Sequence, residues 1–180
     1  MALQERNNVG FLKLLFIKTC CILMISLMAF LGGGLLARLR PYPLSKAIIP
    51  NVYLNELLWN NTKVWLTLLL GGFLFSIPTT IVLVINYGIF GWSAAQYLFQ
   101  GFGDKLLTAV IPHLFFECFA LITAAGIALT ITDYELCFLQ NSQKRNVDTG
   151  NVVLLTLSMA FISWISLVLA AIIETYVSHI

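Results

Sequence analysis

The chain has 180 residues, of which 59% are hydrophobic and only 10% charged, with a formal net charge of +2. A soluble domain carries about a quarter charged residues, so this composition excludes a soluble fold. The basic residues form no block longer than Lys144-Arg145, which excludes an electrostatic footprint for nucleic acid. Among the charged residues only Glu117 falls inside a long apolar run, the distribution that a lipid solvent demands. The expected fold class is therefore all-α, a polytopic transmembrane helical bundle forming a single integral membrane domain over 1–180.

Met1 to Gly10 is not hydrophobic, and Lys13 and Lys18 precede the uncharged stretch from Thr19 to Ala37. That stretch is too long for a signal core and ends in Arg38 and Arg40 rather than a small-residue cleavage site, so it reads as a retained first span over 19–37. Pro41, Pro43 and Pro50 punctuate the next connection. Residues 51–62 follow, placing Val52, Leu54, Leu57, Leu58 and Trp59 for an interfacial helix before the second span.

The second span is expected over 64–85. Pro78 kinks it near its centre, where the hydroxyls of Ser76, Thr79 and Thr80 can bond freed carbonyls. Asn60 and Asn61 stand at its mouth, where they either cap the helix or reach across to His113 and Glu117. Residues 89–102, bounded by Asn86-Tyr87-Gly88 and carrying Gln96 and Gln100, make a short span or a re-entrant helix. Counted as a span, it brings the total to five and puts the termini on opposite faces. The fourth span is expected over 106–132 and the fifth over 152–173, bracketed by Asp148 and Glu174.

Sidedness stays open, because Arg6, Lys13, Lys18, Lys144 and Arg145 on one face balance Arg38, Arg40, Lys46, Lys63 and Lys105 on the other. Cys20, Cys21, Cys118 and Cys137 form no disulfide framework.

The fourth span carries the most chemistry. With about 100° per residue, His113, Glu117, Ala120, Ala124 and Ala128 share one arc of a helix. Small residues at this spacing let helices approach closely in lipid, so the arc should face the bundle with an ionisable pair at one end. Pro112 can open a helix at its first position, leaving 106–111 as a separate short element beside a break of the kind that lines ligand or ion pathways. His113 and Glu117 then form either a coupled acid–base or cation site, or a structural hydrogen-bonded pair that holds the bundle in register. One His and one carboxylate are too few ligands for a metal, and His179 lies at the far C-terminus. No metal and no cofactor are expected.

Several motifs are missing: a phosphate-binding Gly-rich loop, Gly-x-Ser-x-Gly, His-Glu-x-x-His, and a Cys–His pair in a workable arrangement. Any energy source is then supplied by a partner or an ion gradient. No nucleophile stands beside His113 and Glu117, so no catalytic residue is assigned, although an intramembrane peptide-processing enzyme with His113 as base remains an alternative.

The order Asn60-Asn61, a span with paired glycines, Asn86-Tyr-Gly-Ile-Phe-Gly91, and Ile111-Pro-His-…-Glu117-…-Ala124-Ala-Gly126 resembles the integral membrane family named for stage II sporulation protein M. The likeness runs from about Asn55 to Ile173. Leu114 and Cys118-Phe119 stand where that family usually has Gly after the His and Leu-Pro after the Glu, which marks a divergent short member.

The resemblance implies a five-span protein of the bacterial cytoplasmic membrane acting with partners. In one branch of the family, such a protein belongs to a complex that localises peptidoglycan-degrading proteins during engulfment. In another, short members are encoded with circular bacteriocins beside an ABC-type ATPase and serve maturation, export or self-protection. The function expected here is a non-catalytic membrane subunit working with an ABC-type ATPase on a hydrophobic peptide. The alternatives are an engulfment scaffold, an ion or proton pathway through Glu117, and the intramembrane enzyme.

Overall fold

The computed structural model describes residues 2–39, 53–139 and 149–177, and every regular element among them is helical. The order is α1 (Ala2–Leu39), α2 (Leu54–Leu70), a 3₁₀ turn (Gly71–Leu74), α3 (Ile77–Phe99), the single turn α4 (Gly103–Lys105), a π-helical turn (Leu106–Val110), α5 (Ile111–Leu139) and α6 (Thr149–Val177). Among these residues four helices are long and apolar enough to cross a membrane: Ile17–Leu39, Ile77–Phe99, Ile111–Leu139 and Val153–Tyr176. The protein is an all-helical membrane protein.

The single kinked span expected over 64–85 is instead broken. Gly71 and Gly72 end α2, Phe75 (φ 53°) and Ser76 (φ 57°) enter the left-handed region, and α3 starts with Pro78 in its first turn. Proline suits that place because a first-turn N–H has no helical partner to lose. The chain doubles back there: the Thr79 hydroxyl donates to the Leu68 carbonyl at 2.8 Å, whereas eleven residues of continuous helix would hold them about 16 Å apart.

Asn86-Tyr87-Gly88 is correspondingly no turn, and the short span expected over 89–102 is the second half of α3. Asn86 Nδ2 bonds the Val82 carbonyl one turn back at 2.8 Å, so its polar group is satisfied within the helix. The interfacial helix expected over 51–62 is continuous with the apolar run that follows it, as α2, while residues 51 and 52 lie outside the described residues. Asn60 and Asn61 cap nothing, since α2 begins at Leu54 with Tyr53 before it.

α1 and α3 pack in parallel, with Phe30 against Gly91, Gly33 against Gly88 and Trp92, and Ala37 accepting from Gln96. Glycine is required at the crossing: a Cβ on Gly33 would lie 1.9 Å from the Gly88 carbonyl oxygen, and one on Gly91 would lie 1.9 Å from that of Phe30. Small residues bring backbones together in this way where lipid offers no hydrophobic driving force. α5 runs antiparallel to α3, joined by Ser76–Thr132 at one end and Tyr87–Cys118 farther along. α6 returns beside α5, with Ser166 on Phe116 and its later residues near the π turn.

The bundle thus has two ends, a Lys18 end and a Pro112 end. At the first, Lys18 of α1 pairs with Asp133 of α5 and also donates to the Leu129 carbonyl at 3.1 Å. The core between them is built by Ile22, Leu68, Leu83, Tyr87, Leu121, Ala124 and Ala125, drawn from α1, α2, α3 and α5.

Candidate intramembrane polar site

Pro112 is the second residue of α5 and follows the π turn without a break in helical backbone, Ile111 having φ −59° and ψ −40°. A wide turn is a ready accommodation for proline, which cannot donate to the carbonyl before it. The separate element expected over 106–111 is accordingly that π turn, at the mouth of one continuous helical stretch.

Along α5 the arc inferred for the small residues is occupied as follows. Ala120, Ala124 and Ala128 are completely buried, and Glu117 and His113 are half-buried about one and two turns nearer the Pro112 end. The close approach at Ala128 is made by Gly72: a Cβ there would stand 2.8 Å from the Ala128 carbonyl oxygen and 2.9 Å from its Cα. The ladder therefore receives the α2–α3 turn.

Glu117 is framed by two anchored carbonyls. Ser166 Oγ of α6 donates to the Phe116 carbonyl at 2.9 Å, and Tyr87 Oη of α3 donates to the Cys118 carbonyl at 3.2 Å. These bonds fix the backbone on either side of Glu117 against two different helices. Its carboxylate accepts no hydrogen bond and joins no ion pair with a described residue. The one ion pair among the described residues, Lys18–Asp133, stands sixteen residues further along α5, about 24 Å away.

Asn61 is buried on α2, two helical turns before Leu68 of the core, whereas Asn60 next to it is exposed. The two asparagines thus part company: one turns into the bundle and one away from it. Between Asn61 and Leu68, Trp65 Nε1 donates to Ser163 Oγ of α6 at 2.8 Å, which locks α2 to α6.

No group of three or more metal-binding side chains occurs among the described residues. The chemistry available is that of a carboxylate in an apolar bundle, with His113 a turn away: it can accept a hydrogen bond, hold a cation or exchange a proton.

Sequence reasoning missed the side chains that organise this region, namely Trp65, Tyr87, Ser163 and Ser166. A usable signal was present in α6, where Ser163, Ser166, Ala170 and Ala171, all buried, form a small-residue stripe at helical spacing.

A protein of Methanocaldococcus jannaschii, itself described as uncharacterized, is 32% identical over 133 residues, covering 72% of this chain and 74% of its own length. No solved structure matches. The family model for stage II sporulation protein M matches residues 20–179, nearly the whole chain and all of the helices that build the site. The chain belongs to the stage II sporulation protein M family.

Proposed function

We propose that this protein is the multi-pass subunit of a complex in the bacterial cytoplasmic membrane, working with an ABC-type ATPase in the maturation, export or self-protection of a hydrophobic, circular bacteriocin. The subunit itself is non-catalytic, and the whole chain acts as one integral membrane domain of five membrane-embedded helices, with α2 as the short return limb between the parallel α1 and α3. The supporting observation is Glu117: an intramembrane carboxylate, anchored on both sides, whose acceptor oxygens no described residue engages. Such a group is costly in lipid and is kept where it serves a partner or a pathway.

The test is a deletion in a producing strain, complemented by wild type, Glu117→Gln and Glu117→Ala, with tagged protein purified from each. Wild type restores mature peptide and carries the ATPase with it. Glu117→Ala does neither at the wild-type level, while a normal membrane abundance shows that it folds. Full peptide yield from the deletion strain, together with no ATPase on wild-type protein, would end the proposal.

The same unengaged carboxylate favours a second reading, an ion or proton pathway through Glu117. Its measure is flux across liposomes holding the purified protein. Flux that Glu117→Gln leaves unchanged rules the pathway out.

A further inference from the structure

We propose that the turn joining α2 to α3, Gly71–Ser76, is embedded in the leaflet at the Lys18 end and takes acyl chains as its partner. The side chains it presents outward are apolar: Phe73, Leu74 and Phe75 are each at least half exposed, as are the flanking Leu70 and Ile77. From Val64 to Gly103 the sequence contains no charged residue, so nothing in the hairpin draws its tip into water.

Polar groups at both ends of the turn are bonded by protein. Thr132 Oγ1 donates to the Gly72 carbonyl at 2.8 Å, Ser76 Oγ lies 2.6 Å from Thr132 Oγ1, and the Ser76 N–H donates to the Gly71 carbonyl at 3.0 Å. Irregular backbone survives at membrane depth only when its polar groups are bonded by protein in this way. Left-handed conformations in non-glycine residues persist only where the surroundings over-determine them. At Phe75 and Ser76 those inward bonds do so, and the apolar side chains are left facing out.

Depth follows from the contact with α5. Ser76 meets Thr132, one residue before Asp133, whose carboxylate pairs with Lys18. The turn therefore stops where the first charges at that end begin, while α5 continues past it to Leu139, with Phe138 exposed. A hairpin that meant to enter water would extend to the level of Phe138.

The experiment uses the full chain with Cys20, Cys21, Cys118 and Cys137 replaced by Ser, carrying either Leu74→Cys or Phe138→Cys, in phosphatidylcholine vesicles. A membrane-impermeant maleimide is frozen and thawed into the vesicles so that both faces meet it. Position 138 is expected to react and position 74 to react about tenfold more slowly or less, as backbone and side chains within hydrocarbon are shielded from water. An environment-sensitive fluorophore at position 74 is expected to be quenched by lipids carrying nitroxides on their acyl chains and not by aqueous iodide. Equal maleimide rates would make the turn an aqueous loop. Protection from both quenchers would mean that protein, such as a second copy, covers it. Either result overturns the proposal.

Discussion

The Cβ that Gly33 lacks would fall 1.9 Å from the carbonyl oxygen of Gly88, in the crossing of two helices that run the same way through the bundle. Gly32 has nothing within 4 Å of such an atom, and Gly34 meets Gly91 and Ala95 only at 3.7 and 3.9 Å. Three consecutive glycines thus have unlike tolerances. Gly33→Ala is expected to destabilise by about 1–3 kcal/mol through overpacking. Gly32→Ala is expected to be neutral or stabilising by up to about 1 kcal/mol, since alanine is the better helix former. Thermal unfolding of the two variants in one detergent checks the order.

Lys18 and Asp133 tie α1 to α5 at the edge of the apolar bundle, and Lys18 also serves the Leu129 carbonyl. Lys18→Met leaves Asp133 without its cation, an unpaired half-buried charge that is expected to cost about 1–3 kcal/mol. Adding Asp133→Leu should recover part of the loss, because two apolar residues desolvate nothing. If the double variant is less stable than the sum of the two single changes, the pair is not coupled as described.

Trp65 and Ser163 form the cross-link between α2 and α6. A double-mutant cycle with Trp65→Phe and Ser163→Ala is expected to give a coupling energy of about 0.6 kcal/mol, the usual value for a hydrogen bond between helices in a bilayer. A coupling indistinguishable from zero would contradict the bond.

Thr132→Val removes the hydroxyl that links the Gly72 carbonyl and Ser76 Oγ, leaving polar groups in the α2–α3 turn unsatisfied. A loss of about 1–3 kcal/mol is expected, with the turn becoming the first site cut by a protease in limited digestion. Ser158→Ala serves as the control, because that exposed hydroxyl bonds only the carbonyl of its own helix at Leu154.

Much of this was legible in the primary structure and some was not, for identifiable reasons. Long apolar runs marked α1, α5 and α6 because lipid burial acts on composition alone. The α2–α3 break was hidden, since residues 64–85 carry no charge and the left-handed residues that make the reversal, Phe75 and Ser76, are not glycine. Gly71 and Gly72 followed by Pro78 were consistent with a kink or a reversal, and only the bond from Thr79 to Leu68 decides between them. Asn86-Tyr87-Gly88 misled in the opposite direction. Gly88 serves the crossing with α1, where its carbonyl meets the space left by Gly33, a tertiary demand that no local rule can read. The arc from His113 to Ala128 could be drawn from helical periodicity. What touches it could not, because Gly72, Ser166 and Tyr87 reach it from elements far away in sequence.

The parallel pairing of α1 with α3 also sets an order of events during synthesis. Gly33 is made fifty-five residues before Gly88, and at about 5–20 residues per second that gap lasts roughly 3 to 11 s. Throughout this interval α1 has no partner for its crossing face, and its nearest neighbour in sequence, α2, cannot take that place. The first helix to enter the membrane must therefore wait, exposed or chaperoned, for the third.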